Sequence, residues 1–292
     1  MNATLAPPAV EPTEVSIATR DGRELAGLLV ESQEPRGAVL ISGATGYKRE
    51  FYLKFARYVA ERGYHTLLFD YRGMGLSRDR PLRDEPARML DWGLLDIPAA
   101  FDWLVARYPH LPHFSLGHSI GGEFAAALNH RARGYILVAS STGYFHSMHA
   151  LYRPVAFMFM VIYGPWMLRK HGFVPKGRFW NGESVPPNVF RQWRDWCFKA
   201  EYFTPELSKE MLDRFTHLTG QALSWGFTDD PIATLRTVSA LLRLYPRMSI
   251  EQRWVKPADV GARKLGHHGF FLEPQRETLW RPTVDWLDAR LK

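Results

Sequence analysis

The chain has 292 residues, 46% of them hydrophobic, enough for one large domain with an insertion or for two small ones. Its formal charge of +7 comes without any run of five like charges, and Lys and Arg are interspersed with acids, so nucleic-acid binding is not expected. The single cysteine, Cys197, excludes an internal disulfide and fits a reducing compartment, so a cytoplasmic location is expected.

Residues 1–14 contain several prolines and read as a loose tail, with neither the basic nor the apolar region of a signal peptide. Residues 15–18 and 24–30 are strand-like and meet across Asp21-Gly22, a hairpin signal. The apolar run 38–42 predicts a buried strand ending in Gly43-Ala44-Thr45-Gly46, and helical spacing follows over 51–62. A strand over 65–70 leads into the glycine-punctuated loop 71–75. The pattern then predicts a helix over 90–108, a strand over 114–117, a helix over 123–131 and a strand over 135–139. After an interval, 221–225 resumes the strand pattern, followed by a helix over 231–244, a strand over 250–255 and a closing helix over 277–291. Strands alternating with helices through short loops argue for an α/β fold: a mostly parallel central sheet with helices on both faces.

The interval differs in character. Residues 144–217 hold 17 of the chain's 40 aromatic side chains. A helical cap over 144–219, inserted between two strands of a catalytic domain made of 15–143 and 220–292, is expected. The other reading of its aromatics is a small helical core of its own. Its apolar run, 154–168, is shorter than the ~18 residues of a spanning helix and is interrupted by Gly164-Pro165, so no transmembrane span is expected. If helical, residues 156–163 are apolar on every side and, with Trp166, Phe179, Trp180, Trp193 and Trp196, are expected to face a hydrophobic ligand. A dimer contact, or peripheral contact with an anionic membrane through Arg169 and Lys170, are the other uses of such a surface. Either a monomer or a homodimer fits.

Gly117-His118-Ser119-Ile120-Gly121 closes the 114–117 strand and opens the next helix. A serine between glycines at so sharp a turn is a nucleophile elbow, where larger neighbours would collide. Serine needs a base and a group to orient that base. Downstream, Asp229-Asp230-Pro231 follows one strand and Gly266-His267-His268-Gly269 follows the next, the order Ser, acid, His. Ser119 is therefore the expected nucleophile and His267, with His268 second, the base. Asp230 is favoured over Asp229 as the acid, with the other carboxylate capping the helix from Pro231. The Ile120 amide is one expected oxyanion donor. The second should come from the loop after the 38–42 strand, with Ala44 first and Thr45 behind it. Gly73-Met74-Gly75 lacks the rest of a dinucleotide loop, and the pairs His110/His113 and His146/His149 lack further ligands, so neither cofactor nor metal is expected.

Ser42-Gly43-Ala44-Thr45-Gly46, Asp70-Tyr71-Arg72-Gly73-Met74-Gly75-Leu76-Ser77, Gly117-His118-Ser119-Ile120-Gly121-Gly122 and Leu265-Gly266-His267 together resemble the α/β-hydrolase superfamily. More narrowly, they are similar to bacterial hydrolases grouped with serine aminopeptidase-like and monoglyceride-lipase-like enzymes. The resemblance covers about 15–143 and 220–290. It implies a serine hydrolase acting on a small acyl substrate, a carboxylic ester or related compound, through an acyl-serine intermediate. An acyltransferase or a ligand-binding protein on the same fold is the alternative.

Overall fold

The computed structural model describes residues 11–291. Eight strands form one sheet: β1 (Thr13–Ala18), β2 (Glu24–Val30), β3 (Gly37–Ser42), β4 (Tyr64–Phe69), β5 (His113–His118), β6 (Gly134–Val138), β7 (Gly220–Phe227) and β8 (Met248–Val255). Their order is β1-β2-β4-β3-β5-β6-β7-β8. β1 and β2, joined through the Asp21-Gly22 turn, are antiparallel at one edge, and every pair from β4 to β8 is parallel. The first strand starts at Thr13, so the expected tail is shorter at its inner end, and residues 1–10 lie outside the described ones.

Strand alternation divides the core in two. Along β3, Ala38 and Leu40 point to one face, and Val39 and Ile41 to the other. The first face is covered by the helix Ile97–Arg107, through Phe101 and Leu104, and the second by the helices Leu53–Ala60 and Arg281–Asp288. A sheet buried on both sides needs strands apolar throughout, and β3, β4 and β6 are buried along their full length.

Several helices differ from the expectation, each for a local reason. The helix after the elbow spans only Ile120–Glu123, because Phe124 leaves helical geometry (φ −108°, ψ 33°) to pack its ring 4.8 Å from that of Phe203. The helix expected from Pro231 starts at Leu235. The Asp230 side chain takes the amides of Ile232 and Ala233 at 2.8 and 3.0 Å, and Thr234 caps the helix instead. Gly164-Pro165 does not interrupt its helix: Arg153–Phe157, a wide π-type turn over Met158–Tyr163 and Gly164–His171 run on as one. The other described π-type turns, Trp92–Asp96 and Arg276–Trp280, likewise end two residues before a proline, Pro98 and Pro282. Proline lacks the amide a helix uses and crowds the carbonyl four residues back, and a widened turn relieves both.

Between β6 and β7 the chain is mostly helical, with Arg153–His171, Pro187–Cys197 and Lys209–His217 as its main helices. Gly164 lets the first two approach, since a Cβ there would strike the ring of Phe190. Of the long helix, Ala156, Met160 and Met167 are buried, whereas Phe157, Met158, Val161, Ile162 and Trp166 are exposed. Among the described residues no helix is long and apolar enough to cross a membrane.

Candidate active site

The end of β5 carries Ser119 on a tight turn into the next helix. Its backbone adopts φ 53°, ψ −121°, a conformation that L residues avoid. The turn closes because the flanking positions lack side chains: a Cβ on Gly117 would strike the backbone of Gly121 and Gly122, and one on Gly121 the carbonyl of Ser42. Ser119 thereby projects into a cavity of about 260 Å³ that is also lined by Ala44, Thr45, Ile120, His267 and His268.

β7 and β8 deliver the other groups. Asp230 follows β7, is 3% exposed, and its Oδ2 accepts from His267 Nδ1 at 2.7 Å. Burial alone would raise the Asp230 carboxyl. The charge and hydrogen bond of His267, with the amides of Ile232 and Ala233, outweigh it and hold the group below the usual carboxylate range. An ionised Asp230 only accepts, so the His267 proton resides on Nδ1 and Nε2 is left as a base. Among the described residues Ser119 and His267 make no hydrogen bond to each other; they meet at the cavity wall. His268 is not bonded to either aspartate, and its Nδ1 lies 3.1 Å from the Tyr47 hydroxyl.

Asp229 has a different task from the helix cap expected of it. Its carboxylate accepts the amides of Leu265, at 2.9 Å, and Gly266, at 3.0 Å, and so holds the main chain just ahead of His267.

The oxyanion loop also departs from expectation. The Ala44 amide donates to the Tyr52 hydroxyl at 2.7 Å and is thus engaged. The amides of Thr45 and Ile120 make no hydrogen bond among the described residues, and both residues line the cavity. Thr45, the second choice from the sequence, is the one with a free donor.

Residues the sequence reading did not single out surround this centre. His118 is fully buried; its Nε2 lies 2.7 Å from the carbonyl of His267 and its Nδ1 2.9 Å from the Tyr52 hydroxyl. A carbonyl cannot donate, so Nε2 carries the proton and Nδ1 accepts from Tyr52. Burial, then the neighbouring His267, push the His118 pKa well below the usual histidine value, keeping the ring neutral. The only signal in the sequence was its place beside the serine. Tyr152 and Tyr202 line the cavity from the 144–219 segment, beside Trp180 and Trp193, which the sequence reading did name. Trp180 also leans on Gly46, where a Cβ would strike its ring. Trp196 is instead a core residue, and Trp166 and Phe179 face outward. Asp70, Arg72 and Asp96 tie loops together: Asp70 takes the amides of Arg49 and Leu76, and Arg72 bridges Asp96 at 2.7 Å and Asp21 at 2.6 Å. Three or more metal-ligating side chains do not cluster anywhere among the described residues.

Comparison with known proteins agrees with this architecture. A soluble variant of monoglyceride lipase from Saccharomyces cerevisiae, solved with a substrate analogue, is 16% identical with TM-score 0.67, over 97% of this chain and 98% of that one. An esterase of Pyrococcus furiosus is 14% identical with TM-score 0.61, over 100% and 96%. A thermostable carboxyl esterase of Bacillus coagulans, in complex with glycerol, is 15% identical with TM-score 0.61, over 97% and 99%. At these identities the likeness is one of fold. No curated protein matches the sequence. The family model described as serine aminopeptidase, S33, matches residues 33–183, from before β3 past the elbow into the helical segment, and the chain belongs to this family of α/β-hydrolases.

Proposed function

We propose that the protein is a serine hydrolase that cleaves carboxylic esters with a hydrophobic acyl group through an acyl-Ser119 intermediate. The observation that carries the reading is the Asp230–His267 pair, 2.7 Å apart, with His267 lining the same cavity as Ser119. In this mechanism His267 Nε2 takes the Ser119 proton as Oγ attacks the ester carbonyl, and Asp230 offsets the charge gained by the imidazole. The carbonyl oxygen, now negative, is received by the amides of Thr45 and Ile120. Collapse expels the alcohol with the proton held on His267, and water repeats the sequence to release the acid and free Ser119. Residues 144–219 act as the cap, supplying Tyr152, Trp180 and Trp193 to the substrate.

The cavity volume, about 260 Å³, lies just below the ~300–1,000 Å³ usual for ligand pockets, which favours medium-length over long chains. Each methylene buried should add roughly 0.8 kcal/mol to binding until the cavity is full. A p-nitrophenyl ester series from acetate to palmitate is therefore expected to peak at intermediate length. A fluorophosphonate probe should label Ser119, and Ser119→Ala and His267→Ala should each abolish turnover. Full activity in either variant, or an adduct mapped to another residue, refutes the assignment.

A further inference from the structure

Glu123 stands four residues after Ser119, in a stretch otherwise made of glycine and apolar residues. It is 2% exposed, yet its side chain reaches the wall of the same cavity. Its Oε2 is buried without a hydrogen-bond partner, and Oε1 makes none among the described residues either. Among the described residues it makes no ion pair, and burial is the one influence acting on its carboxyl. Leaving such a group unsatisfied is costly, and an apolar residue of similar size would have filled the space without penalty. The same cavity is lined by Met89, Ile120 and Trp193 as well as by Tyr202, close enough to Glu123 to feel its charge, and its surface is mostly apolar.

We propose that Glu123 forms a polar subsite inside the acyl cavity, and that the natural substrate carries an uncharged hydroxyl group on an otherwise apolar chain to meet it. This rests on reading the cavity as the acyl site. Burial drives the Glu123 carboxyl well above the ordinary carboxylate range, so it enters the encounter as a neutral acid with one O–H to give and one carbonyl oxygen to fill. A hydroxyl satisfies both with a single oxygen. A ketone or ether can only accept and leaves the carbonyl oxygen bare. A protonated amine would oblige Glu123 to ionise in an apolar wall, where desolvating the two charges opposes binding. Glu123→Gln keeps a donor and an acceptor in nearly the same shape, whereas Glu123→Leu removes both.

The test is binding rather than turnover, so that it stands even if ester cleavage is not the reaction. Calorimetry on the full-length Ser119→Ala protein would compare methyl octanoate with its 3-, 6-, 7- and 8-hydroxy derivatives and with the 8-amino ester. At least one hydroxy ester is expected to bind about tenfold more tightly than methyl octanoate, the effect of one or two net hydrogen bonds. Adding Glu123→Gln should keep that preference, and adding Glu123→Leu should erase it while methyl octanoate binds at least as well as before. The proposal is overturned if no hydroxy ester is preferred in the Ser119→Ala protein, a result that needs no Glu123 variant to fold. It is also overturned if the preference survives Glu123→Leu, or if the amino ester binds more tightly than any hydroxy ester.

Discussion

Two adjacent carboxylates with different partners allow a sharp test of the proposed chemistry. In Asp230→Asn the side-chain carbonyl can stay with the amides of Ile232 and Ala233, which places the NH2 group against His267 Nδ1. Nδ1 must then accept, the ring proton moves to Nε2, and the nitrogen that should take the Ser119 proton is already occupied. A wrong tautomer of this kind costs a serine hydrolase on the order of 10⁴ in kcat. In Asp229→Asn the imidazole is untouched, but one oxygen replaces two in front of the Leu265 and Gly266 amides, so at least one donor faces an NH2 group. Losing one charge-assisted bond there should cost about 1.5–3 kcal/mol of stability. For a domain of this size that is a fall in Tm of roughly 3–12 °C. Loosening of the histidine loop should cost no more than about a hundredfold in rate. Burst kinetics with a p-nitrophenyl ester, alongside thermal unfolding of both variants, separates the two roles. If Asp229→Asn loses four orders of magnitude at an unchanged Tm while Asp230→Asn remains active, the reasoning from hydrogen-bond direction is refuted.

Two more predictions concern groups around the site. Because the folded His118 refuses a proton that the unfolded chain accepts from about pH 6.5 downward, its contribution to stability is complete above that pH and declines below it at ~1.4 kcal/mol per pH unit. His65 and His113, lowered by burial, act in the same direction. Denaturant titrations between pH 7 and 5 should show a slope shallower by that amount in His118→Gln, and an identical slope would contradict the assignment. Arg72→Met strands the buried Asp96, so urea unfolding should show a loss of about 3–5 kcal/mol, largely recovered in Arg72→Met with Asp96→Asn. A loss under 1 kcal/mol would mean that the pair is not an essential tie.

The middle of the sheet was legible because β3, β4 and β6 are short, mostly apolar runs beside glycines, a pattern set by burial on both faces. The elbow was legible for a related reason: its glycines are imposed by backbone contacts only a few residues away. What the sequence hid is mostly direction. Nothing in Gly43-Ala44-Thr45 tells which amide points at the cavity, because that depends on the Tyr52 hydroxyl, which reaches Ala44 from the following helical turn. Likewise Asp229 and Asp230 are chemically identical, and only the register of the turn decides which meets the imidazole and which meets the loop. Helix limits failed where a side chain captured amides ahead of the helix, as Asp230 does, or where a widened turn carried a proline. The outward and inward sides of Arg153–His171 could not be separated by hydropathy, since both are apolar.

The links from the Ala44 amide through Tyr52 and His118 to the His267 carbonyl form a one-way street for protons. Its terminus is an oxygen with nothing to give, and every group upstream is thereby oriented without choice. The loop after β3 and the loop bearing His267, far apart in the chain, share one wiring. Among the described residues the amides of Thr45 and Ile120 beside the cavity are unpaired, whereas that of Ala44 is held by a phenol. Removing the Tyr52 hydroxyl would therefore leave the Ala44 amide and His118 Nδ1 without their partner at one stroke.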